Sequence, residues 1–371
     1  MATETTRNPE PPFEKVHVDL FAFFEKTYGI FKMAADFAGV KERKYTICGE
    51  NVTLRFAGSG LSPIITPALE HLSTQSDEQS SLTVCVWDDV STDTNMPPPP
   101  WLGLAVLGSE GNFKDIYTRR GDVRGFSDSR IYTSYNWDAN ALSILDRQRG
   151  VALYWTHNAR ILPSYESSAP LRTIFHWWMN EFGFQFVHSG AVGYPHGGVL
   201  LAGKGGSGKS TTALTCLASD LVYVSDDYCL VSTDPEPYVY CIYSSAKLNA
   251  DNMQRVPHIL STISNLDRID SEKAVFFLYP FVAAKIVKGF PVRAILLPCI
   301  AGKNETRLSP ASPMEALSAL ALSTMSQLAR AGRSSLQIMH RLVHQVPCYH
   351  LELGTDLARI PEVIAGLLKE R

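Results

Sequence analysis

The chain is 371 residues long, enough for two domains with sizeable cores. Its 45% hydrophobic and 19% charged content is that of a soluble globular protein, and a net charge of −3 argues against the basic footprint of a nucleic-acid binder. No apolar run reaches membrane-spanning length, the longest lying at 294–301, so neither nucleic acid nor membrane is expected as a partner.

Residues 1–14 are polar and proline-rich, lack the apolar core of a signal peptide and read as a disordered tail. The seven cysteines are scattered, odd in number and never spaced C-x-x-C. That pattern points to reduced thiols in a cytoplasmic protein, with neither a disulfide framework nor a zinc site.

Residues 15–165 read as an accessory, substrate-recognition domain of mixed, strand-rich α+β character. Val52–Phe56 and Leu82–Trp87 alternate with period two and predict strands, with a helix between them near 67–72. Asp88-Asp89 and the run Pro97-Pro98-Pro99-Pro100 break the pattern, the prolines favouring an extended surface segment. Strands return at 130–135 and 150–155. A loop-like junction at 163–168 leads into an apolar helix over 171–182 that includes Trp177 and Trp178.

Residues 166–371 read as an α/β domain. Two short strand-like runs, 184–187 and 191–194, flank His188-Ser189-Gly190. A buried strand at 198–202 then enters Gly203-Lys204-Gly205-Gly206-Ser207-Gly208-Lys209-Ser210, the pattern G-x-x-x-x-G-K-S. Ala213, Leu214 and Leu217 continue it at helical spacing. Strand, glycine loop and helix together are the context in which this pattern binds phosphate: backbone N–H groups and the helix N-terminus face the phosphates, Lys209 reaches the β/γ-phosphates, and the Ser210 hydroxyl holds Mg²⁺. Gly203 to Ser210 and the following Thr211 are the candidate nucleotide-binding residues. The apolar strand 221–225 ends in Asp226-Asp227, where a P-loop protein places its metal-binding carboxylate. Two adjacent aspartates exceed the metal's needs, so one can serve Mg²⁺ while the other accepts a hydroxyl proton. Further strands are expected at 229–231, 239–243, 274–278, 294–297 and 349–353, with helices at 313–322, 336–343 and 357–368.

His188-Ser189-Gly190, the phosphate loop and Asp226-Asp227 together resemble the catalytic domain of the HPr kinase/phosphorylase family, itself similar in core fold to phosphoenolpyruvate carboxykinase. The likeness spans about 184–231, with 15 residues from His188 to Gly203 and 23 from Gly203 to Asp226. It implies an ATP- and Mg²⁺-dependent kinase acting on a serine hydroxyl of a protein or peptide. Carried over residue by residue, it implies Lys209 and Ser210 on phosphates and metal, Asp226 as general base, Asp227 supporting the metal and His188 beside the transferred phosphate. Thr211 stands where bifunctional members carry Glu, and Ser244–Asn249 stands where their arginine-bearing glycine signature belongs. The resemblance therefore does not extend to the reverse phosphorolysis, to HPr itself as substrate or to the family's hexamer. Lys247, in that segment, reads as solvated. A small-molecule hydroxyl kinase, a P-loop ATPase, a nucleotide-binding module without acceptor, and a homo-oligomer all stay open.

Overall fold

A computed structural model describes residues 18–101 and 117–369; the tail at 1–14 lies outside them. The molecule is mixed α/β, built on two large sheets and a small third one.

Helix α1 (Leu20–Ala38) is capped by Asp19, whose carboxylate accepts the Ala22 N–H at 2.9 Å. Leu20, Phe24, Phe31 and Ala34 recur on one face and are buried against Trp87 and its neighbours. The sequence reading of 15–165 as strand-leaning passes over this helix. The first sheet comprises β1 (Val40–Ile47), β2 (Glu50–Ala57), β3 (Leu82–Asp88), β4 (Ile131–Asn136), β5 (Ala141–Asp146) and β6 (Val151–Thr156), in the order β1-β2-β3-β6-β5-β4. The helix expected near 67–72 is instead a short α2 (Ser62–Ile65) followed by two 3₁₀ turns, Thr66–Ala68 and Glu70–Leu72. Pro67 is the second residue of the first of these turns, where its missing N–H interrupts an α-helical ladder. A single turn, α3 (Asp89–Thr92), follows β3. The junction at 163–168 is a short helix, α4 (Ser164–Ser168), rather than a loop, and α5 (Arg172–Asn180) follows it.

The second sheet contains β7 (Gln185–Tyr194), β8 (Gly197–Ala202), β9 (Val222–Ser225), β10 (Tyr228–Ser232), β11 (Tyr238–Tyr240), β14 (Gly289–Ile300), β15 (Arg307–Ala311) and β16 (Cys348–Leu353). The third sheet pairs β12 (Ser245–Leu248) with β13 (Ala274–Phe277). The helices here are α6 (Lys209–Cys216), α7 (Pro313–Met325), α8 (Arg333–Gln345) and α9 (Arg359–Lys369). Every residue of β8 is buried, as expected for a strand covered on both faces. Val199 and Leu201 pack on one face with α6 and α9, while Leu200 and Ala202 pack on the other with α7 and α8.

The two strand-like runs around His188 are one ten-residue strand, β7. Ser189-Gly190 is no break. A Cβ on Gly190 would stand 3.2 Å from Leu201 Cδ1 and 3.3 Å from the Ser225 carbonyl oxygen, so the glycine lets β8 and β9 close in on β7. One hydrophobic cluster joins the sheets. It runs from Tyr45, Val52 and Leu145 of the first, through Phe175 and Trp178 of α5, to Phe186 and Leu230 of the second. Among the described residues, no helix is long and apolar enough to cross a membrane.

Candidate active site

Strand direction brings the site together. β8 and β9 both pair antiparallel with β7, and so run the same way. The registers are Ser189 opposite Ala202 and Ala191 opposite Ser225. His188, Gly203 and Asp226, each just beyond those pairs, therefore emerge at one sheet edge, where open α/β sheets bind ligands.

The glycine loop is shaped as the motif requires. Gly206 and Gly208 have φ of +79° and +105°, which favour glycine, and a Cβ on Gly208 would stand 2.3 Å from Leu353 Cδ1. Lys209 is buried, its Nζ donating to the carbonyls of Gly203 at 2.6 Å and Lys204 at 3.2 Å. Burial lowers its pKa, against the opposing pull of Asp227 and Asp226. Lys204 is exposed. The loop also passes a test of fit for a phosphate chain. Among the described residues, no atom beyond the chain neighbours lies within 4 Å of a Cβ built on Gly205 or Gly206, so the loop is open above them, and the Ser207 hydroxyl is buried without a partner.

The two aspartates turn opposite ways. Asp226 is 2% exposed and points inward; Oδ1 accepts from Tyr223 Oη at 3.3 Å and Oδ2 from the Lys247 backbone N–H at 3.1 Å. Burial, then the charge of Asp227, push its pKa up to about 6, opposed by Lys247 and by the Ser210 hydroxyl. Asp227 faces the cleft. Its Oδ1 lies 2.9 Å from His188 Nε2 and its Oδ2 lies 2.7 Å from Lys247 Nζ. Burial alone would raise its pKa, but the Lys247 ammonium and the His188 ring outweigh that and hold it well below the carboxylate range.

His188 is fixed from behind. Its backbone N–H donates to Thr324 Oγ1 at 3.0 Å, and Gln327 Nε2 meets its Nδ1 at 3.1 Å. The Gln327 amide oxygen accepts from the Tyr228 hydroxyl, which in turn accepts from Arg172 Nη1 at 3.3 Å. This network assigns the ring proton to Nε2, which donates to Asp227. A single chain of donors thus runs Arg172, Tyr228, Gln327, His188 and ends on Asp227, where Lys247 meets it from the other side. Lys247 is therefore a site residue and not a solvated one. Gln327, Tyr228 and Arg172 are additions that no local motif announces.

A cleft of about 1310 Å³ runs along this edge, lined by the glycine loop, His188, Asp227 and Lys247, with Ile300 and Leu322 at its mouth. These two are 73% and 72% exposed and form an apolar part of its lining. Among the described residues, no group of three or more His, Cys, Asp or Glu could hold a metal by itself. Ser210 and one aspartate can hold Mg²⁺ only together with phosphate oxygens and water, which is how that ion binds in phosphoryl-transfer sites.

No family model matches the chain, and no curated protein matches it. Among solved structures it is similar to the HPr(Ser) kinase/phosphatase from Coxiella burnetii, at 11% identity, over 50% of this chain and 95% of that one, with a TM-score of 0.27.

Proposed function

We propose that the protein is an ATP- and Mg²⁺-dependent kinase transferring the γ-phosphoryl group to a hydroxyl, with residues 166–371 as a catalytic unit of the HPr-kinase type and 15–165 as the acceptor-facing unit. One observation carries the reading: Asp227, ionised between His188 and Lys247, stands in the cleft that the glycine loop opens into. A nucleotide holder has no need of that arrangement. The resemblance implies a serine of a protein or peptide as acceptor, whereas the chemistry at Asp227 requires only a hydroxyl.

The geometry favours exchanging the roles that the resemblance gives the aspartates. Asp226, buried and hydrogen-bonded by the Ser210 hydroxyl, would support the metal. Asp227, facing the cleft, would receive the acceptor. Position decides over pKa here, because a base must first reach the proton it takes. Transfer breaks the acceptor O–H bond and the bond from the γ-phosphorus to the β–γ bridging oxygen, and forms the new O–P bond. The proton passes to Asp227, and the electron pair of the broken P–O bond leaves with ADP. A low pKa at Asp227 suits a reaction whose transition state asks more for positioning than for proton abstraction. His188 and Gln327 orient that carboxylate. Lys209 is the residue to bind the β/γ-phosphates, and Lys247 lies where transferring charge needs a cation. Mg²⁺, held by Ser210 with Asp226, would supply charge neutralisation across the phosphates.

Asp227→Asn tests the assignment. Acceptor-dependent ADP formation should fall on the order of a thousandfold, while binding of a fluorescent ATP analogue is retained. Undiminished transfer would sink the role of Asp227. ATP turnover that needs no acceptor would instead favour the ATPase reading.

A further inference from the structure

A cavity of about 460 Å³ lies at the seam between the two sheets and meets the main cleft at Tyr165, Lys247, Ser326 and Gln327. Its walls come from the β4–β5 turn, α4, α5 and the chain just after α7. Its charged lining is Arg119, Arg120, Arg172 and Lys247 against Asp138 and Glu166, four cations to two anions. The volume is that of a small-molecule pocket.

Arg172 is the group left unsatisfied in it. A guanidinium has five N–H donors. Among the described residues this one makes a single hydrogen bond, the 3.3 Å contact to Tyr228, while its Nε is buried without a partner. Glu166 does not neutralise it closely. The nearest approach is 4.0 Å, and that carboxylate already accepts from Asn136 at 3.0 Å and from Tyr154 at 3.2 Å. Arg120, by contrast, is spent on Asp122 at 2.6 Å and on the Ala331 carbonyl at 2.6 Å. The side chain is 16% exposed and its Nε is buried, and a mostly buried guanidinium short of acceptors costs stability unless a ligand supplies them.

We infer that this cavity is the acceptor pocket, taking a small hydroxylated organic anion whose carboxylate or phosphate pairs with Arg172 and whose hydroxyl reaches Asp227 past Lys247. The inference rests on the kinase reading above and replaces a protein serine by a small molecule. A serine on a folded partner would enter through the wide cleft and leave Arg172 untouched. A small anion fills the cavity, supplies bidentate acceptors to the guanidinium and places its other end at the junction that Lys247 shares with the main cleft.

The test uses the full chain with γ-labelled ATP, Mg²⁺ and an extract of its source cells, separated by dialysis into small molecules and macromolecules. Label should enter an organic anion of the dialysable fraction, and the mass of the product tells a carboxylate from a phosphate ester. Arg172→Met should raise the KM for that acceptor at least about tenfold while leaving the Kd of a fluorescent ATP analogue unchanged, and Arg172→Lys should recover part of the loss. Should Arg172→Met fail to fold, Ser143→Leu narrows the same cavity from β5 and should raise the same KM. Label confined to macromolecules, or a KM indifferent to these substitutions, overturns the pocket and leaves the kinase reading standing. Label recovered only as inorganic phosphate overturns both.

Discussion

Two corners of this molecule share one sequence signature and do different work. β3 ends on Asp88 with Asp89 following, and β9 runs into Asp226-Asp227, each an apolar strand followed by paired carboxylates. In the first sheet the pair is consumed by structure. Asp88 caps α3 through the Ser91 N–H at 3.0 Å; Asp89 accepts from the Met96 N–H at 3.0 Å and Trp155 Nε1 at 2.6 Å, with His157 Nδ1 at 3.1 Å. In the second sheet the pair divides: Asp226 turns inward to Tyr223 and a backbone N–H, and Asp227 turns to the His188 ring and the Lys247 ammonium at the rim of a cleft. The difference lies in what surrounds each turn. A short helix and a buried tryptophan leave Asp88-Asp89 no free face, whereas the glycine loop opposite β9 keeps one open. An Asp-Asp corner is thus a site only where topology brings it a partner.

Substitutions can break that contrast. The largest effect is expected at Asp227, where the Asn variant should lose about a thousandfold in transfer with little change in melting temperature. Asp89→Ala should do the reverse. By orphaning a buried tryptophan N–H and a backbone N–H, it should cost about 2–3 kcal/mol in denaturant unfolding, while the folded fraction keeps its turnover and its ATP affinity. A loss of kcat in the Asp89 variant, measured per folded molecule, would show the two corners to be coupled.

Acid sharpens the contrast further. Burial holds His71 and His176 neutral, with pKa values of about 3 each. Between pH 6.5 and 3 the unfolded chain therefore binds two protons that the native chain refuses, and their contribution to stability drains away as pH falls. Asp226, raised to about 6, acts in the opposite sense between pH 6 and its ordinary value near 3.8, because there the native state binds the extra proton. From pH 6 to 4 these three groups leave a net loss of about 1.4 kcal/mol per pH unit. Asp226→Asn removes the opposing contribution, so chemical unfolding across that interval should show a slope approaching twice as steep. An unchanged slope would mean that Asp226 is not the carboxyl titrating there.

The strand–glycine loop–helix unit is legible in the sequence because its signal is local. Strand, glycines, lysine and helix are contiguous: Gly203 to Gly208 link β8 to α6, and Lys209 and Ser210 open that helix. The aspartate pair is legible too, though not the directions its two side chains take, because neighbouring residues on a turn point apart and only the surroundings decide which faces the cleft. Lys247, Gln327 and Arg172 were not legible as a group. They lie on β12, just past α7 and at the start of α5, and only folding brings them to one hydrogen-bond chain. His188 stood out, but Ser189-Gly190 looked like a break when the glycine serves close strand packing. α1 is the reverse case: Leu20, Phe24, Phe31 and Ala34 form a readable helical stripe, overshadowed by the strand patterns that follow it.

The hydrophobic cluster that passes from the first sheet through α5 into the second has a consequence for motion. Enzymes that shield a phosphoryl group from water often do so by swinging one lobe onto another about a hinge. Here such a swing would have to tear Phe175, Trp178 and Phe186 out of shared packing with Val52 and Leu145, against the discrete, close-packed character of a protein interior. The two sheets must therefore move as one body. On the kinase reading, any drying of the cleft would fall to short segments at its rim, such as Ser271–Lys273.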